Sequence, residues 1–210
     1  MNKLGDLSCN EFLTELASAA PAPGGGGGAA MAGALAAALA SMVANLTIGK
    51  EKFADREPEV KELLEQAEAE RVRLLALVDE DAAVFNSFMS CYKLPKATDE
   101  EKAARTAEIR AAAKQAATVP LNIARSSFAV LKLADRLVVS GNPGVITDGA
   151  CSGLLARAAL RCAEYNVRIN LGLTKDEVWN AQAAAELEQL LADAEALETR
   201  LLAVTDKALQ

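Results

Sequence analysis

Polar residues that favour helix N-termini recur in front of amphipathic stretches along this chain. Serine or threonine followed three residues later by glutamate, the capping-box pattern, begins at Ser8, Thr98 and Thr174. These patterns predict a short helix that ends before Pro21, a long helix towards Val139 that Pro120 kinks, and a final amphipathic helix. The apolar side of the final helix is predicted to contain Leu187, Leu190, Leu191, Ala194, Leu197, Leu201 and Val204.

Proline and glycine positions delimit the remaining helices. A helix of small residues is predicted from about Ala29 to Ile48, and a long helix from Pro58 to about Tyr92. The segment 141–144 is predicted as a loop, followed by a helix from about Asp148 to Leu171. The expected fold is therefore an all-α bundle of about six helices that forms a single domain over residues 1–210. Two of the helices exceed roughly 30 residues, or about 50 Å, which favours a dimer.

The amino-acid composition supports this fold class and restricts which residue types can take part in catalysis. The 210 residues include 45 alanines but only 13 valines and 5 isoleucines, which favours helices over sheets. The chain contains no histidine, so histidine-based catalytic triads, histidine metal sites and imidazole pH switches are excluded. Acid–base chemistry must therefore use Asp, Glu, Lys, Tyr, Cys or water.

The formal net charge of −7 disfavours anionic partners. Residues 175–210 contribute eight anions and three cations, and no basic stripe offsets them, so no nucleic-acid partner is expected. The four cysteines, Cys9, Cys91, Cys151 and Cys162, form no C-x-x-C pair. They are predicted to be reduced packing residues in a cytoplasmic protein.

The stretch between Glu15 and Lys50 carries no charge and is long enough to span a bilayer. Its helical part is mostly alanine, however, which contributes little to membrane insertion. A buried helix is the preferred interpretation, and no membrane partner is expected. Small residues recur every fourth position along it, a ridge more typical of close helix packing than of a ligand site; they are Ala29, Gly33, Ala37, Ser41 and Asn45.

The five consecutive glycines from Gly24 to Gly28 are the least ordinary feature of the sequence. Ordering them costs conformational entropy, and the available gain is close approach of their backbone N–H groups to a ligand. No Gly-Lys-Ser/Thr sequence follows, so the segment is not a Walker A loop, and no strand precedes it to support a dinucleotide fingerprint. A binding segment and a flexible hinge remain as alternatives.

Three charged residues are candidates for acid–base chemistry. Lys50 complements a helix dipole in the commoner interpretation, but at the edge of a desolvated pocket it could act as an acid or base. Asp148 is expected to cap a helix. Asp81 shares a helical face with Phe85, so its carboxylate either borders an apolar groove or belongs to a solvated acidic surface.

Taken in order, these segments resemble the cyclodeaminase/cyclohydrolase family of folate enzymes. That family includes the C-terminal half of formiminotransferase-cyclodeaminase and stand-alone methenyltetrahydrofolate cyclohydrolases. The resemblance covers nearly the whole chain, although Gly27-Gly28 and Thr147-Asp148-Gly149 depart from the usual pattern. It rests on residues 21–26, Gly33-Ala34, 41–43, 46–50, Asp81 with Phe85, 94–98, Val119-Pro120, Gly141-Asn142, Asp148 and 166–170.

The resemblance implies an all-α homodimer that binds a tetrahydrofolate derivative, with or without a polyglutamate tail. It implies no metal and no cofactor beyond this substrate. The residues matched to substrate binding are Pro23, Gly24, Gly25, Gly26, Gly27, Gly28, Asn142 and Asn170, and those matched to catalysis are Lys50, Asp81 and Asp148.

Two reactions are known in this family. A cyclohydrolase hydrolyses 5,10-methenyltetrahydrofolate to 10-formyltetrahydrofolate, and a cyclodeaminase cyclises 5-formiminotetrahydrofolate with release of ammonia. Both require one proton removed from the attacking group and one delivered to the leaving nitrogen. We expect Asp148 or Asp81 to act as the base or orienting group and Lys50 as the acid or electrostatic group.

The choice between the two reactions stays open at this point. The lack of a transferase segment weakly favours the cyclohydrolase. The alternative from another class is a non-catalytic helical dimerisation or scaffold module that has kept the fold.

Overall fold

Six α-helices make up the structure, a computed structural model that describes residues 3–210. The helices are α1 (Cys9–Leu16), α2 (Gly25–Asn45), α3 (Glu57–Cys91), α4 (Asp99–Ser140), α5 (Ile146–Thr174) and α6 (Glu177–Ala208). Short 3₁₀ turns occur at Leu4–Asp6, Glu51–Phe53 and Pro143–Val145. No strand occurs within the described residues, so the prediction of an all-α fold with about six helices is confirmed.

Two of the three predicted capping boxes are confirmed. The hydroxyls of Ser8 and Thr98 accept hydrogen bonds from the backbone N–H groups of Glu11 and Glu101, at 3.3 and 3.2 Å. The third was wrong, because Asp176 caps α6 by accepting from the Trp179 N–H at 3.0 Å.

The starts of α2 and α5 also differ from prediction. α2 begins at Gly25, so the glycine run forms its first turn rather than a preceding loop. α5 begins at Ile146 with Val145 as its N-cap, which places Asp148 in the first turn and not at the cap. Three helices exceed 30 residues instead of two, because α6 contains 32.

The small residues of α2 let this helix pack at the centre of the bundle against α3, α4 and α5. Ala29, Gly33, Ala37 and Ser41 are buried, which confirms the packing interpretation for these four, whereas Asn45 at the end of the ridge is exposed. A Cβ on Gly33 would lie only 3.0 Å from a Leu74 methyl group. α2 satisfies the length and hydropathy criteria of a membrane span, but 61% of that window is buried inside the bundle.

α4 continues through Pro120 and creates one unusual backbone contact. Proline has no N–H, so the carbonyl of Ala116, four residues earlier, lacks its helical partner. The side-chain amide of Asn170 on α5 donates to this carbonyl at 2.8 Å. The proline therefore connects α4 to a polar side chain of α5.

α6 packs on α4 and α5 through its predicted apolar side, of which Leu187, Ala194 and Leu201 are fully buried. Its Arg200 also pairs with the buried Asp135 of α4, at 2.6 Å. All four cysteines are free, but only Cys91 is buried. The packing prediction was therefore wrong for the other three.

α2 and α5 run antiparallel, and this arrangement separates the predicted site residues. The hydroxyl of Ser152, near the start of α5, donates to the carbonyl of Ala36 at 2.7 Å. Near the other end, Asn166 lies beside Gly25. The 21 residues of α2 span about 30 Å at 1.5 Å per residue, so the two ends of the bundle are distinct sites.

Candidate active site

A cavity of about 150 Å³ lies at the end of the bundle where α2 begins. It is formed by the segment before α2, the first turn of α2, and parts of α3, α4 and α5. Its lining consists of Pro21, Ala22, Gly24, Gly25, Gly26, Asp81, Val84, Phe85, Phe88, Ala116, Val119, Asn166 and Asn170. Among these residues, Asp81 carries the only titratable side chain.

Asp81 borders an apolar groove, as one of the two sequence interpretations predicted. Its side chain is half-buried, and Phe85, one turn later on α3, lines the same cavity. Burial raises the pKa of the Asp81 carboxyl above its ordinary range, and a hydrogen bond from the Gly27 backbone N–H partly opposes this shift. A raised pKa makes the ionised carboxylate a stronger base near neutral pH.

The first turn of α2 packs directly on this carboxylate. A Cβ on Gly26 would overlap the Asp81 carboxylate, and a Cβ on Gly27 would lie 3.2 Å from the Pro23 side chain. Glycine is therefore required at position 26, whereas a Cβ at position 27 would need Pro23 to shift by a few tenths of an ångström. The run is an ordered helical turn, so the flexible-hinge alternative was wrong.

The start of α2 also offers hydrogen-bond donors to the cavity. The Gly28 N–H donates to the Gly24 carbonyl at 2.9 Å and begins the helical ladder. The N–H groups of Gly25 and Gly26 precede that bond and have no acceptor within the helix. Both residues line the cavity, where such donors favour negative charge.

Two asparagines on α5 are held in fixed orientations at the opposite wall. The Asn170 amide nitrogen donates to the carbonyls of Ala116 and Asn166, at 2.8 and 2.9 Å. The Asn166 amide nitrogen donates to the Cys162 carbonyl at 2.9 Å. These bonds engage both amide nitrogens and leave the Oδ1 atoms as acceptors for a ligand.

The structure brings together only part of the predicted site. Asp81, Gly24, Gly25, Gly26 and Asn170 line the cavity, and Gly27 bonds Asp81. Pro23 contacts the glycine turn at Gly27, and Gly28 lies two residues beyond Gly26, the last glycine of the turn that lines the cavity.

Lys50, Asn142 and Asp148 lie at the opposite end of the protomer. Lys50 is exposed, and Asp148 is half-buried in the first turn of α5. The Asn142 side chain donates to the Leu46 carbonyl at 3.1 Å and accepts from the Gly144 N–H at 3.0 Å. Asn142 therefore ties the loop before α5 to the end of α2.

Sequence reasoning missed Asn166 and Phe88 as lining residues. Their spacing carried a usable signal, since Phe88 follows Phe85 by three residues and Asn166 precedes Asn170 by four. Each pair shares a helical face, so one member implies the other.

Similarity to known proteins identifies the family of this chain. A sequence model described as formiminotransferase-cyclodeaminase matches residues 8–189. The chain belongs to the formiminotransferase-cyclodeaminase family. The resemblance predicted from the sequence motifs is thereby confirmed.

Relatives within the formiminotransferase-cyclodeaminase family differ in length. The chain is 45% identical to methenyltetrahydrofolate cyclohydrolase of Methylorubrum extorquens, over 94% of this chain and 95% of that protein. It is 33% identical to formimidoyltransferase-cyclodeaminase of Sus scrofa over 87% of this chain but 34% of that protein. The chain therefore spans about a third of this longer relative.

A solved structure extends the similarity to the fold. The crystal structure of formiminotetrahydrofolate cyclodeaminase from Thermotoga maritima aligns with a TM-score of 0.89 and 30% identity, covering 99% of this chain and 100% of that one. Together these relatives confirm the prediction of a folate one-carbon enzyme. The scaffold alternative is not favoured.

Proposed function

We propose that this protein hydrolyses 5,10-methenyltetrahydrofolate to 10-formyltetrahydrofolate. The observation that carries the proposal is the half-buried Asp81 carboxyl facing the glycine turn at the cavity. The proposal draws further support from the similarity to a cyclohydrolase over nearly its full length. It includes a cytoplasmic homodimer with no cofactor beyond the folate.

The reaction needs a base for the attacking water. Water adds to the methenyl carbon and loses a proton, which gives a tetrahedral carbon bonded to oxygen and to both N5 and N10. We assign the proton removal to Asp81, because its raised pKa suits a base and it lines the cavity. Asp148, the other candidate base, lies about 30 Å away along α2 within the same protomer.

The second half of the reaction breaks the bond between the carbon and N5. The electron pair of that bond stays on N5, which takes up a proton, while the carbinol O–H loses its proton and the formyl C=O forms. One proton is released to solvent overall. The free N–H groups of Gly25 and Gly26 are placed to stabilise negative charge on the developing oxygen.

The remaining walls suit a flat, partly polar ring. Phe85 and Phe88 provide apolar surface on α3, and Asn166 and Asn170 provide acceptors on α5. A reduced pterin ring presents aromatic-like faces and several N–H donors, so both kinds of wall match it.

The second candidate is cyclisation of 5-formiminotetrahydrofolate, which the similarity to the Thermotoga maritima cyclodeaminase favours. In that reaction N10 attacks the formimino carbon and ammonia leaves. The tetrahedral carbon and the two proton transfers are equivalent, so the same Asp81 and glycine turn would serve.

Two assays separate the candidates. Loss of methenyltetrahydrofolate absorbance reports hydrolysis, and ammonia release from the formimino compound reports cyclisation. We expect Asp81→Asn to slow the preferred reaction by about 10²- to 10⁴-fold, the usual contribution of a positioned base.

The matched control is Asp206→Asn at an exposed position of α6, which should leave the rate unchanged. Full activity of Asp81→Asn would contradict the assignment of the base. Acceleration of neither reaction, with no folate binding by calorimetry, would instead support the scaffold alternative.

A further inference from the structure

The cavity beside Asp81 is too small to enclose a whole folate molecule. Its volume of about 150 Å³ falls below the roughly 300–1,000 Å³ of pockets that enclose drug-sized ligands. The proposed reaction requires the bridging carbon to lie at Asp81. The p-aminobenzoyl ring and the glutamate that follow N10 must therefore extend out of the cavity along a neighbouring surface.

Two surfaces adjoin the cavity as routes for this part of the substrate. One is a groove of about 690 Å³ that also contacts Pro21 and Ala22. Its titratable lining residues are Lys3, Glu15 and Asp79. The other surface follows the ends of α3 and α4 that extend past the cavity. Two carboxylates against one ammonium disfavour a glutamate in the groove, which favours the route along α3 and α4.

The faces of α3 and α4 that line the cavity lead outwards to an aromatic ring and a cation. Tyr92, the C-cap of α3, follows Phe85 by seven residues, close to two helical turns, so both lie on one face. Arg105 precedes the cavity-lining Ala116 of α4 by eleven residues, close to three turns, and shares its face in the same way. We call Tyr92 and Arg105 the outer pair.

Contacts connect the outer pair to the cavity. The Phe88 ring, which lines the cavity, meets the Tyr92 ring edge-to-face with the centroids 5.3 Å apart. The Arg105 guanidinium lies over the Tyr92 ring at 5.5 Å, and its Nη2 donates to the Tyr92 carbonyl at 3.3 Å. The outer pair is thereby held about 10 Å beyond Phe85, seven residues along α3 at 1.5 Å each.

The charge of Arg105 is not neutralised by a carboxylate. None of the ion pairs within residues 3–210 includes this side chain. Its Nε has no hydrogen-bond partner among the same residues. Lys114, closer to the cavity on α4, is by contrast bound by Asp176 at 2.8 Å. A guanidinium without a partner presents N–H donors in a fork that fits a carboxylate through two parallel hydrogen bonds.

The loop between α3 and α4 adds positive charge near Arg105. Lys93 and Lys96 are exposed there, and no acid occurs in the loop before α4 begins at Asp99. Asp99 is itself bound by Lys102 at 2.8 Å, and the two glutamates that follow complement the helix dipole in the first turn. Residues 92–105 carry four cations and three anions, so the local balance is positive in a chain of net charge −7.

The length of the substrate matches the position of the outer pair. Ordinary bond lengths place the glutamate α-carboxylate roughly 10 Å from N10, across the p-aminobenzoyl and amide groups. Phe85 and Tyr92 leave 37% and 42% of their surface accessible along this path. Exposed aromatic rings of this kind stack on another ring, so they suit the p-aminobenzoyl group.

We propose that Arg105 binds the glutamate α-carboxylate of the folate, while Phe85 and Tyr92 pack on the p-aminobenzoyl ring between the cavity and Arg105. The proposal rests on the proposed function, which places the bridging carbon at Asp81. Arg105 takes no part in proton transfer. Its contribution is to affinity and to the choice of a substrate that ends in a carboxylate.

Two substrates that differ only at the glutamate test the proposal. One is 5,10-methenyltetrahydrofolate, and the other is the corresponding pteroyl methylamide, in which a methyl group replaces the glutamate. We expect the wild-type KM to be about 10-fold lower for the folate, the contribution of one charge-assisted pair. Arg105→Met should remove this preference by raising only the folate KM, with kcat unchanged, because the lost contact is equal in the ground and transition states.

Ionic strength provides a second readout of the same contact. Salt screens an exposed ion pair, so the wild-type KM for the folate should rise between about 0.05 and 0.5 M salt. The KM for the methylamide, and both KM values of Arg105→Met, should change much less. Equal salt dependence of the folate KM in wild type and Arg105→Met would contradict the proposed pair.

Arg110→Met is the matched control. Arg110 is exposed on the same helix and lies about 140° around its axis from Arg105, so both KM values should stay at the wild-type level. Lys3→Met tests the groove on the other side of the cavity. Selective loss of folate binding in Lys3→Met, or a wild-type preference retained in Arg105→Met, overturns the proposal.

The split between kcat and KM separates binding from a structural role. A lower kcat of Arg105→Met with both substrates would show that Arg105 only holds the end of α3, and would also overturn the proposal. Wild type that hydrolyses neither substrate would refute the proposed function instead. Calorimetric binding of tetrahydrofolate and of its methylamide analogue to wild type and Arg105→Met then decides the role of Arg105 without turnover.

Discussion

The Asp81 carboxyl lies in an environment that disfavours its ionised form. Burial against the glycine turn and two phenylalanines raises its pKa, and only the Gly27 N–H lowers it. Buried charge of this kind costs stability in the folded state. Activity and stability should therefore respond in opposite directions when this carboxyl is neutralised.

The pH dependence of unfolding measures this cost. The folded-state pKa of Asp81 is raised, so between the ordinary and the raised values the folded chain holds a proton that the unfolded chain releases. Stability therefore falls as pH rises through that window. Asp81→Asn should match wild type in acid and be more stable at neutral pH, as measured by urea unfolding at several pH values. An equal or lower neutral stability of the variant would contradict the burial argument.

Asn170 on α5 stabilises the backbone of α4 next to Pro120. Its amide satisfies the Ala116 carbonyl that Pro120 leaves without a helical partner. Asn170→Leu should cost about 1–3 kcal/mol in the free energy of unfolding, because that carbonyl then lacks a donor.

A double variant isolates the contact. Pro120→Ala restores an N–H to the carbonyl of Ala116, so Asn170→Leu should cost less in that background than in wild type. Chemical denaturation of the four proteins gives the coupling free energy. Equal costs in both backgrounds would show that Asn170 does not replace the missing helical bond.

At the scale of elements, the first turn of α2 shows how tertiary contact overrides local preference. Five glycines predict a loop or hinge on conformational entropy alone. In the structure residues 25–28 are helical, with Gly24 as the N-cap, and the absence of a Cβ lets Gly26 pack directly against the Asp81 carboxylate. Spacing within one helix did predict that Asp81 and Phe85 share a face, since that relation depends only on helical periodicity.

Alanine substitution of two helical glycines distinguishes the effect of a tertiary contact from the effect of helix propensity. Gly172→Ala on α5 meets nothing within 4 Å and should stabilise the chain by about 0.5 kcal/mol. Gly26→Ala should instead displace the Asp81 carboxylate that its Cβ would overlap, and activity should fall at least 10-fold, a rough estimate for a misplaced base.

Circular dichroism and thermal unfolding confirm that both glycine variants fold, and the hydrolysis assay then compares them. Unchanged activity of Gly26→Ala in a folded protein would argue against a fixed carboxylate at this position.

At the scale of the whole molecule, one ion pair fixes the last helix to the bundle. Asp135 on α4 is 3% exposed, and Arg200 on α6 makes a bidentate pair with it at 2.6 and 2.9 Å. Burial raises the pKa of Asp135, and the arginine opposes that shift. Removing the arginine would leave a buried acid without its partner.

We expect Arg200→Met to lower the free energy of unfolding by about 2–3 kcal/mol, measured by urea denaturation. Arg136→Met provides the control, because it breaks an exposed pair with Glu59 and should cost less than about 1 kcal/mol. Similar losses in both variants would show that burial of Asp135 does not set the cost.

The sequence by itself determined the helical class, the capping boxes at Ser8 and Thr98, and the shared face of Asp81 and Phe85. These features depend on alanine content and on spacings within one helix, which are local properties. Only the tertiary structure decided that the glycine run is helical and that Asn170 donates to the carbonyl left without a partner by Pro120. It also decided that Lys50 lies about 30 Å from Asp81 in one protomer. Each of these depends on how separate helices meet, and the antiparallel packing of α2 and α5 sets that relation through contacts distant in sequence.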